Sequence, residues 1–162
     1  MKISSTFSLL LILLLGTTVT TTQPAAAVAP DPGPSAVGQG QFTFNGDLVQ
    51  FSFEARANKN GNAHGRATFD NLSDATSVVV KINCLEASSS EALMTGTVLH
   101  SDDPAFPKSA NVIFAAEDGA GFPSPTADVI TPLFLSPFPD CHSAALPLTM
   151  FPLVGDAIQI EP

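Results

Sequence analysis

Five acidic side chains near predicted loops are the residues of this sequence best suited to bind a ligand. Asp102 and Asp103 follow one predicted strand, Glu117 and Asp118 end another, and Asp128 precedes a third. Calcium in proteins is bound by several such hard oxygen atoms. Because a two-layer β fold delivers alternate loops to one end, we expect these acids to converge there as one electrostatic unit. Calcium is the candidate ligand, and solvated loop acids that bind nothing are the alternative.

The three histidines are the candidates for acid–base chemistry. His64 lies on the polar face of a predicted strand, His100 at a strand end, and His142 beside Cys141. No zinc-binding helix motif, nucleophile elbow or phosphate-binding loop accompanies them. A catalytic triad can assemble from residues distant in sequence, so a small extracellular hydrolase that uses a histidine and loop carboxylates stays as an alternative. We assign no catalytic residue and no cofactor-binding residue.

The two cysteines, Cys84 and Cys141, predict one disulfide if the chain is secreted. The bond would hold a proline-rich segment against a core strand. The alternative is a redox or metal site at Cys141 and His142, but a metal site needs three or four ligands.

Residues 1–27 have the composition of a secretory signal peptide. Lys2 precedes a short apolar run from Phe7 to Leu15, and the small residues Ala25 to Ala27 form a cleavage site. The run is much shorter than the about 20 apolar residues that span a bilayer. We therefore predict cleavage after Ala27 and an extracellular protein that is not attached to the membrane.

The composition makes several kinds of partner unfavourable. The formal net charge is −9, and a chain this acidic repels phosphate backbones and anionic lipid headgroups. Charged residues make up 13% of the chain and hydrophobic residues 44%, which is too apolar for a disordered protein. A platform of Trp or Tyr for stacking on sugars is also missing, since the sequence contains neither residue.

Alternating patterns along the rest of the chain predict β strands. In Leu48–Ala57, Phe51 and Phe53 share one face while Gln50 and Ser52 share the other. The preceding Asn45-Gly46 predicts a tight hairpin. A second pattern in 76–87 places Val78, Val80, Ile82 and Cys84 on the buried face.

The strand pattern predicts an all-β fold: a single antiparallel β-sandwich or partly closed barrel of seven to eight strands. This domain would span 36–162, after a Pro/Gly linker at 28–35. The prolines between Pro132 and Pro152 exclude a central strand from that segment.

A series of short motifs runs through 38–160. In chain order they are Gly38-Gln-Gly40, Phe51-Ser-Phe53-Glu-Ala55, Ile82-Asn-Cys84-Leu85, Ala92-Leu-Met-Thr-Gly96-Thr-Val98, Val112-Ile-Phe114, Glu117-Asp118-Gly119, Asp128-Val-Ile130, Pro139-Asp-Cys141 and Gly155-Asp156-Ala-Ile158. This order resembles that of small secreted bacterial all-β proteins of unknown function. The resemblance implies one small β domain, supports pairing of the two cysteines, and implies no catalytic residue.

These patterns favour a secreted, non-catalytic β domain that works as an extracellular or surface interaction module. Its expected partner is an extracellular protein or polysaccharide, and we expect the domain to be a monomer. The two alternatives are the small hydrolase and a calcium-stabilised adhesion module.

Overall fold

The computed structural model describes residues 33–58, 62–119, 127–142 and 149–162. The predicted signal peptide, and the predicted linker up to residue 32, lie outside the described residues. Within them, no helix has the length and apolar character needed to cross a membrane.

The described residues form ten strands in one sheet, and every strand pairing is antiparallel. The strands are β1 (Ser35–Phe44), β2 (Asp47–Ala57), β3 (Ala63–Asn71), β4 (Thr76–Ala87), β5 (Glu91–Ser101), β6 (Asn111–Glu117), β7 (Val129–Ile130), β8 (Phe134–Leu135), β9 (Phe151–Pro152) and β10 (Val154–Glu161). The strand order is β10-β1-β2-β3-β4-β5-β6-β7-β9, and β8 pairs with β6. The all-β, antiparallel part of the prediction is confirmed, whereas the count of seven to eight strands and the sandwich or barrel form are not.

The predicted hairpin between β1 and β2 is present. Phe44 pairs with Asp47 across a two-residue turn, and the φ angles of Asn45 and Gly46 are 54° and 95°. Two successive positive φ angles define the type I′ turn, whose twist matches that of the flanking strands. The Asn-Gly pair therefore sets the register of β1 against β2.

One face of the sheet carries the aromatic core. Phe51 and Phe53 of β2 are buried, as predicted, and Phe51 contacts the rings of Phe42 and Phe69 at centroid distances of 6.1 and 6.4 Å. Phe69 in turn meets Phe114 of β6 edge-on at 5.2 Å. Ring contacts thus connect β1, β2, β3 and β6 through the interior.

The two ends of the strand order come together. Phe151 of β9 contacts Phe42 and Phe44 of β1, with ring centroids 6.3 and 5.4 Å apart. Leu153 alone separates β9 from β10 in the sequence, although these strands lie at opposite ends of the strand order. The inner face of the sheet is therefore covered by other parts of the same sheet.

A β-bulge in β4 corrects the predicted position of Cys84. Ile82 pairs with Gly96, but Cys84 pairs with Thr95, so Asn83 is an extra residue in the ladder. A shift of one residue moves every later side chain to the opposite face. Cys84 consequently lies on the outer face and not beside Ile82, while Leu85 joins the core.

Residues 131–142, which we call the strap, first run along the edge of β6 through β8 and then cross the outer face of β5 to reach Cys84 of β4. The Thr131 hydroxyl accepts a hydrogen bond from the Ala115 amide at 2.9 Å, and the Thr95 hydroxyl donates one to the Pro139 carbonyl at 3.0 Å. Cys141 at the end of the strap is bonded to Cys84. The strap buries Ile113 and Thr95, which explains why these outward-facing residues are completely inaccessible to solvent.

The prediction that prolines exclude a central strand holds for the described part of 132–152. β8 and β9 are each two residues long, and β8 pairs only with β6 while β9 pairs only with β7. The strap is attached to the sheet mainly by side-chain hydrogen bonds and isolated backbone hydrogen bonds. This follows because proline lacks an amide hydrogen and cannot donate to a continuous ladder.

Candidate functional site

A cleft of about 250 Å³ opens at the edge of the sheet that carries the β1–β2, β3–β4 and β5–β6 connections. We call this edge the cleft edge. Successive antiparallel strands reverse direction, so every second connection lies on the same side of a sheet. The topology therefore brings three connections far apart in sequence to one opening.

The floor and walls of the cleft are apolar. Its buried floor is formed by side chains of the aromatic core and of the strap: Phe42, Phe69, Val78 and Leu133. Three half-buried side chains, Phe44, Val49 and Phe106, form its walls. Apolar lining with a few polar groups at the mouth is typical of small-molecule sites.

Two carboxylates on the rim, Asp47 and Asp74, are connected through Asn71. The Asn71 side-chain amide donates to Asp47 Oδ2 and to Asp74 Oδ2, both at 3.2 Å. Its carbonyl oxygen accepts from the backbone amides of Ser73 and Asp74 at 2.9 and 3.3 Å. Because these backbone donors fix the oxygen, the nitrogen of Asn71 must point toward the two carboxylates.

Asp103 supplies a third carboxylate from the β5–β6 loop. Its Oδ1 accepts from the Ala105 amide at 2.8 Å, and its carbonyl accepts from the Phe106 amide at 3.1 Å. The Ser101 hydroxyl accepts from the Asp103 amide at 3.0 Å. These local bonds fold the loop so that Asp103 and Phe106 both line the cleft.

The cleft has an acidic rim without a basic counterpart. None of the described residues that line it is Lys, Arg or His. Within the described ranges, the ion pairs involve Arg56, His100 and His142, and none includes Asp47, Asp74 or Asp103. The hydrogen bonds described for the side chains of Asp47, Asp74 and Asp103 come from amide donors.

The five acids predicted from the sequence do not converge. Glu91, at the start of β5, pairs with Glu117, whereas Asp102 and Asp103 follow the other end of β5. Ten residues of strand separate the two positions by about 30 Å. Among the described residues, no three carboxylates come within 4.8 Å of one another, so the prediction of one electrostatic unit at one end is wrong.

Asp128 connects three segments of the chain through hydrogen bonds. Its carboxylate is buried, with Oδ1 accepting from the Gly119 amide at 2.9 Å and Oδ2 from the Ile158 amide at 2.8 Å. Its backbone carbonyl accepts from the Leu153 amide at 3.0 Å. One residue therefore joins the end of β6, the β9–β10 junction and β10. We call the edge where β4 and β6 end the clamp edge.

The histidines lie away from the cleft. His100 Nε2 is 3.3 Å from Asp102 Oδ1, and His142 Nδ1 is 3.5 Å from Glu86 Oε2. All four of these side chains are more than half exposed. His64 lies on the outer face opposite Arg56. The structure thus brings two histidines next to carboxylates, but at the protein surface.

The predicted disulfide between Cys84 and Cys141 is present. Their sulfur atoms and a His142 nitrogen lie within 4.8 Å of one another, the arrangement that a metal site would use. Sulfur binds metals as a thiolate, and both cysteines of the chain are consumed by the bond. The alternative of a metal site at Cys141 and His142 is not compatible with this state.

Sequence reasoning missed three rim residues, Asp47, Asn71 and Asp74, which it did not include among the candidate ligand-binding residues. Their signal was the turn chemistry itself, since Asn45-Gly46-Asp47 and Asn71-Leu-Ser-Asp74 both place a carboxylate at a connection. Knowing that these connections share one edge requires the strand order. The chain matches no protein-family model, no curated protein and no solved structure.

Proposed function

We propose that the chain is a secreted, non-catalytic β domain that acts as an extracellular interaction module through the cleft. The observation that carries this proposal is the cleft itself, with an apolar floor, aromatic walls and a polar rim built by three connections. A recess of this kind is the default binding site of a protein.

The positions of the acid–base groups favour binding over catalysis. A hydrolase that uses a histidine and a carboxylate needs both groups within hydrogen-bond reach of a bound substrate. Both His–carboxylate pairs are exposed, and neither His100 nor His142 lines the cleft. The rim groups Asp47, Asp74 and Asn71 instead hold one another, an arrangement suited to recognition.

Export is supported by the apolar segment near the N-terminus and by the disulfide. Disulfides form and persist in oxidising compartments, and the Cys84–Cys141 bond ties the strap to β4. We propose that cleavage after Ala27 releases the domain outside the cell. The same resemblance to small secreted bacterial proteins is consistent with this location.

We further propose that the sheet forms a partly closed barrel around the aromatic core. Contact between Phe151 and Phe42 and the short connection at Leu153 support this form. A wall that curves back on itself would leave the core open only at its ends, and the cleft lies at one of them.

Filling the cleft tests the proposed function. Val49→Trp adds an indole to the cleft wall, whereas Gln50→Trp, on the next residue of β2, adds the same group to the exposed outer face. Each tagged chain is secreted, immobilised and exposed to the proteins and polysaccharides of its own culture medium, and the retained material is quantified.

We expect Val49→Trp to abolish a retention that the wild type and Gln50→Trp share. Equal retention by Val49→Trp would contradict binding through the cleft. Circular dichroism of all three chains establishes that the difference is not caused by unfolding.

A further inference from the structure

We infer that the cleft binds a small organic cation: a primary or quaternary ammonium group on an apolar body. This inference rests on the proposed function, because it names the ligand class of the same cleft. The apolar body would lie over the floor formed by Phe69 and Val78, and the cationic group would lie at the rim near Asp47 and Asp103.

The size of the cleft limits the ligand. Its volume is about 250 Å³, below the about 300–1,000 Å³ typical of drug-sized ligands. A single ring or a short alkyl chain fits such a space, so the cationic group is one that the extracellular partner presents to the cleft.

Charge complementarity selects a cation. Asp47 and Asp74 accept hydrogen bonds from the same Asn71 nitrogen, so two like charges are held close together with one neutral donor between them. Asp103 adds a third carboxylate from the opposite connection. A cation that enters the site relieves the repulsion between like charges held close together. An anionic ligand would be repelled by all three carboxylates.

The apolar walls add selectivity for an organic cation over a metal ion. Phe44 and Phe106 are half-buried at the walls, where an ammonium group can interact with an aromatic face. A hydrated metal ion gains nothing from the floor of Phe42 and Phe69. The combination of carboxylates above and rings below therefore favours an amine with an apolar body.

The test compares three ligands of similar shape: phenethylamine, phenylpropionate and neutral propylbenzene. Each is titrated into the ¹⁵N-labelled secreted domain, and the Asn71 side-chain amide and the Gly46 amide are followed by NMR. The sequence contains no Trp or Tyr, so these signals replace fluorescence as the readout. We expect phenethylamine to shift the Asn71 signal saturably, phenylpropionate to leave it unchanged, and added salt to weaken the binding.

Two substitutions with the same change of net charge sharpen the test. Asp103→Asn removes a rim carboxylate, whereas Asp102→Asn removes the neighbouring carboxylate, which faces His100 and does not line the cleft. We expect Asp103→Asn to weaken phenethylamine binding about fivefold, the effect of one unit charge several ångströms away in partly aqueous surroundings. Asp102→Asn should change it less than about twofold, as for an exposed charge screened by solvent.

Three results would overturn the inference. They are equal affinity for phenethylamine and propylbenzene, equal weakening by Asp102→Asn and Asp103→Asn, and no binding of phenethylamine. If Val49→Trp still abolishes retention in those cases, the proposed function stands without a cationic ligand. If phenethylamine binds but Val49→Trp retains its partners, the proposed function fails while the ligand site stands.

Discussion

The carboxylates at the two edges of the sheet are chemically identical groups in opposite surroundings. At the clamp edge, each carboxylate oxygen of the buried Asp128 accepts a hydrogen bond from a backbone amide. At the cleft edge, Asp47 and Asp74 share one amide donor, and Asp103 accepts from Ala105. The number of backbone donors around a carboxylate decides its role. A carboxylate whose two oxygens both accept from backbone amides joins those segments. A carboxylate at the cleft that accepts fewer hydrogen bonds is available to a ligand.

The difference has a local cause. Asp128 lies between three segments that each present a backbone amide to it, and without its carboxylate the amides of Gly119 and Ile158 would lose their hydrogen-bond acceptors. Buried donors without partners are costly. The turns at the cleft edge satisfy part of their backbone through Asn71 and Ser101, and the Asp103 carboxylate accepts from a single backbone amide, that of Ala105.

The largest effect that we expect comes from removing the Cys84–Cys141 disulfide. Replacing both Cys84 and Cys141 with Ser should lower the free energy of unfolding by about 4 kcal/mol, because the bond closes a loop of 57 residues in the unfolded chain. Urea denaturation of the two proteins measures this. An unchanged midpoint would mean that the strap is held by its hydrogen bonds alone.

Asp128→Asn tests the clamp directly. The amide keeps one acceptor but turns an NH₂ group toward a buried backbone donor, so we expect a loss of about 3 kcal/mol. Asp103→Asn is the matched control at the cleft edge and should cost less than about 0.5 kcal/mol, as for an exposed surface change. Similar losses in the two variants, measured by urea denaturation, would remove the distinction between the edges.

Asn71→Ala tests how the rim is organised. It removes the side chain that orders the β3–β4 turn and separates two carboxylates, so we expect a loss of about 1 kcal/mol. Gln41→Ala, which removes a half-buried side-chain amide that donates to Gln50 at 3.3 Å, should be neutral. Thermal melts of the two variants give the comparison, and equal melting temperatures would contradict the assigned role of Asn71.

The smallest effect concerns calcium. Because Asp102 and Asp103 lie at the opposite edge from Glu117, we expect the same melting temperature with millimolar calcium and with a chelator. A cation that bound only the folded state would raise this temperature by mass action. A rise that Asp118→Asn abolishes would restore calcium as a ligand at the clamp edge.

The sequence predicted the regular elements well because their signals are local. The alternation of Phe51 and Phe53 with Gln50 and Ser52 gave the faces of β2, and Asn45-Gly46 gave the hairpin. Predicting one disulfide needed only the number of cysteines and a secreted chain. Burial and turn formation depend on neighbouring residues, which a single sequence displays.

The parts that could not be predicted depend on non-local pairing. The bulge at Asn83 arises from the register between β4 and β5, and no alternation in β4 alone reveals it. The separation of Asp102 from Glu117, and the meeting of Asp47, Asp74 and Asp103, both follow from strand direction. The sequence marks which residues are acidic, but only the topology decides which of them are neighbours.

Pairing between the first and last strands has a consequence for how the chain acquires its fold. Ser35 pairs with Glu161, so β1 gains its second neighbour only when residues 154–161 are in place. A nascent chain that ends before Val154 presents the free backbone of β1 as an open edge, a template for another polypeptide. Contacts this distant in sequence also slow folding. The domain therefore completes its sheet only after Val154–Glu161 has been synthesised.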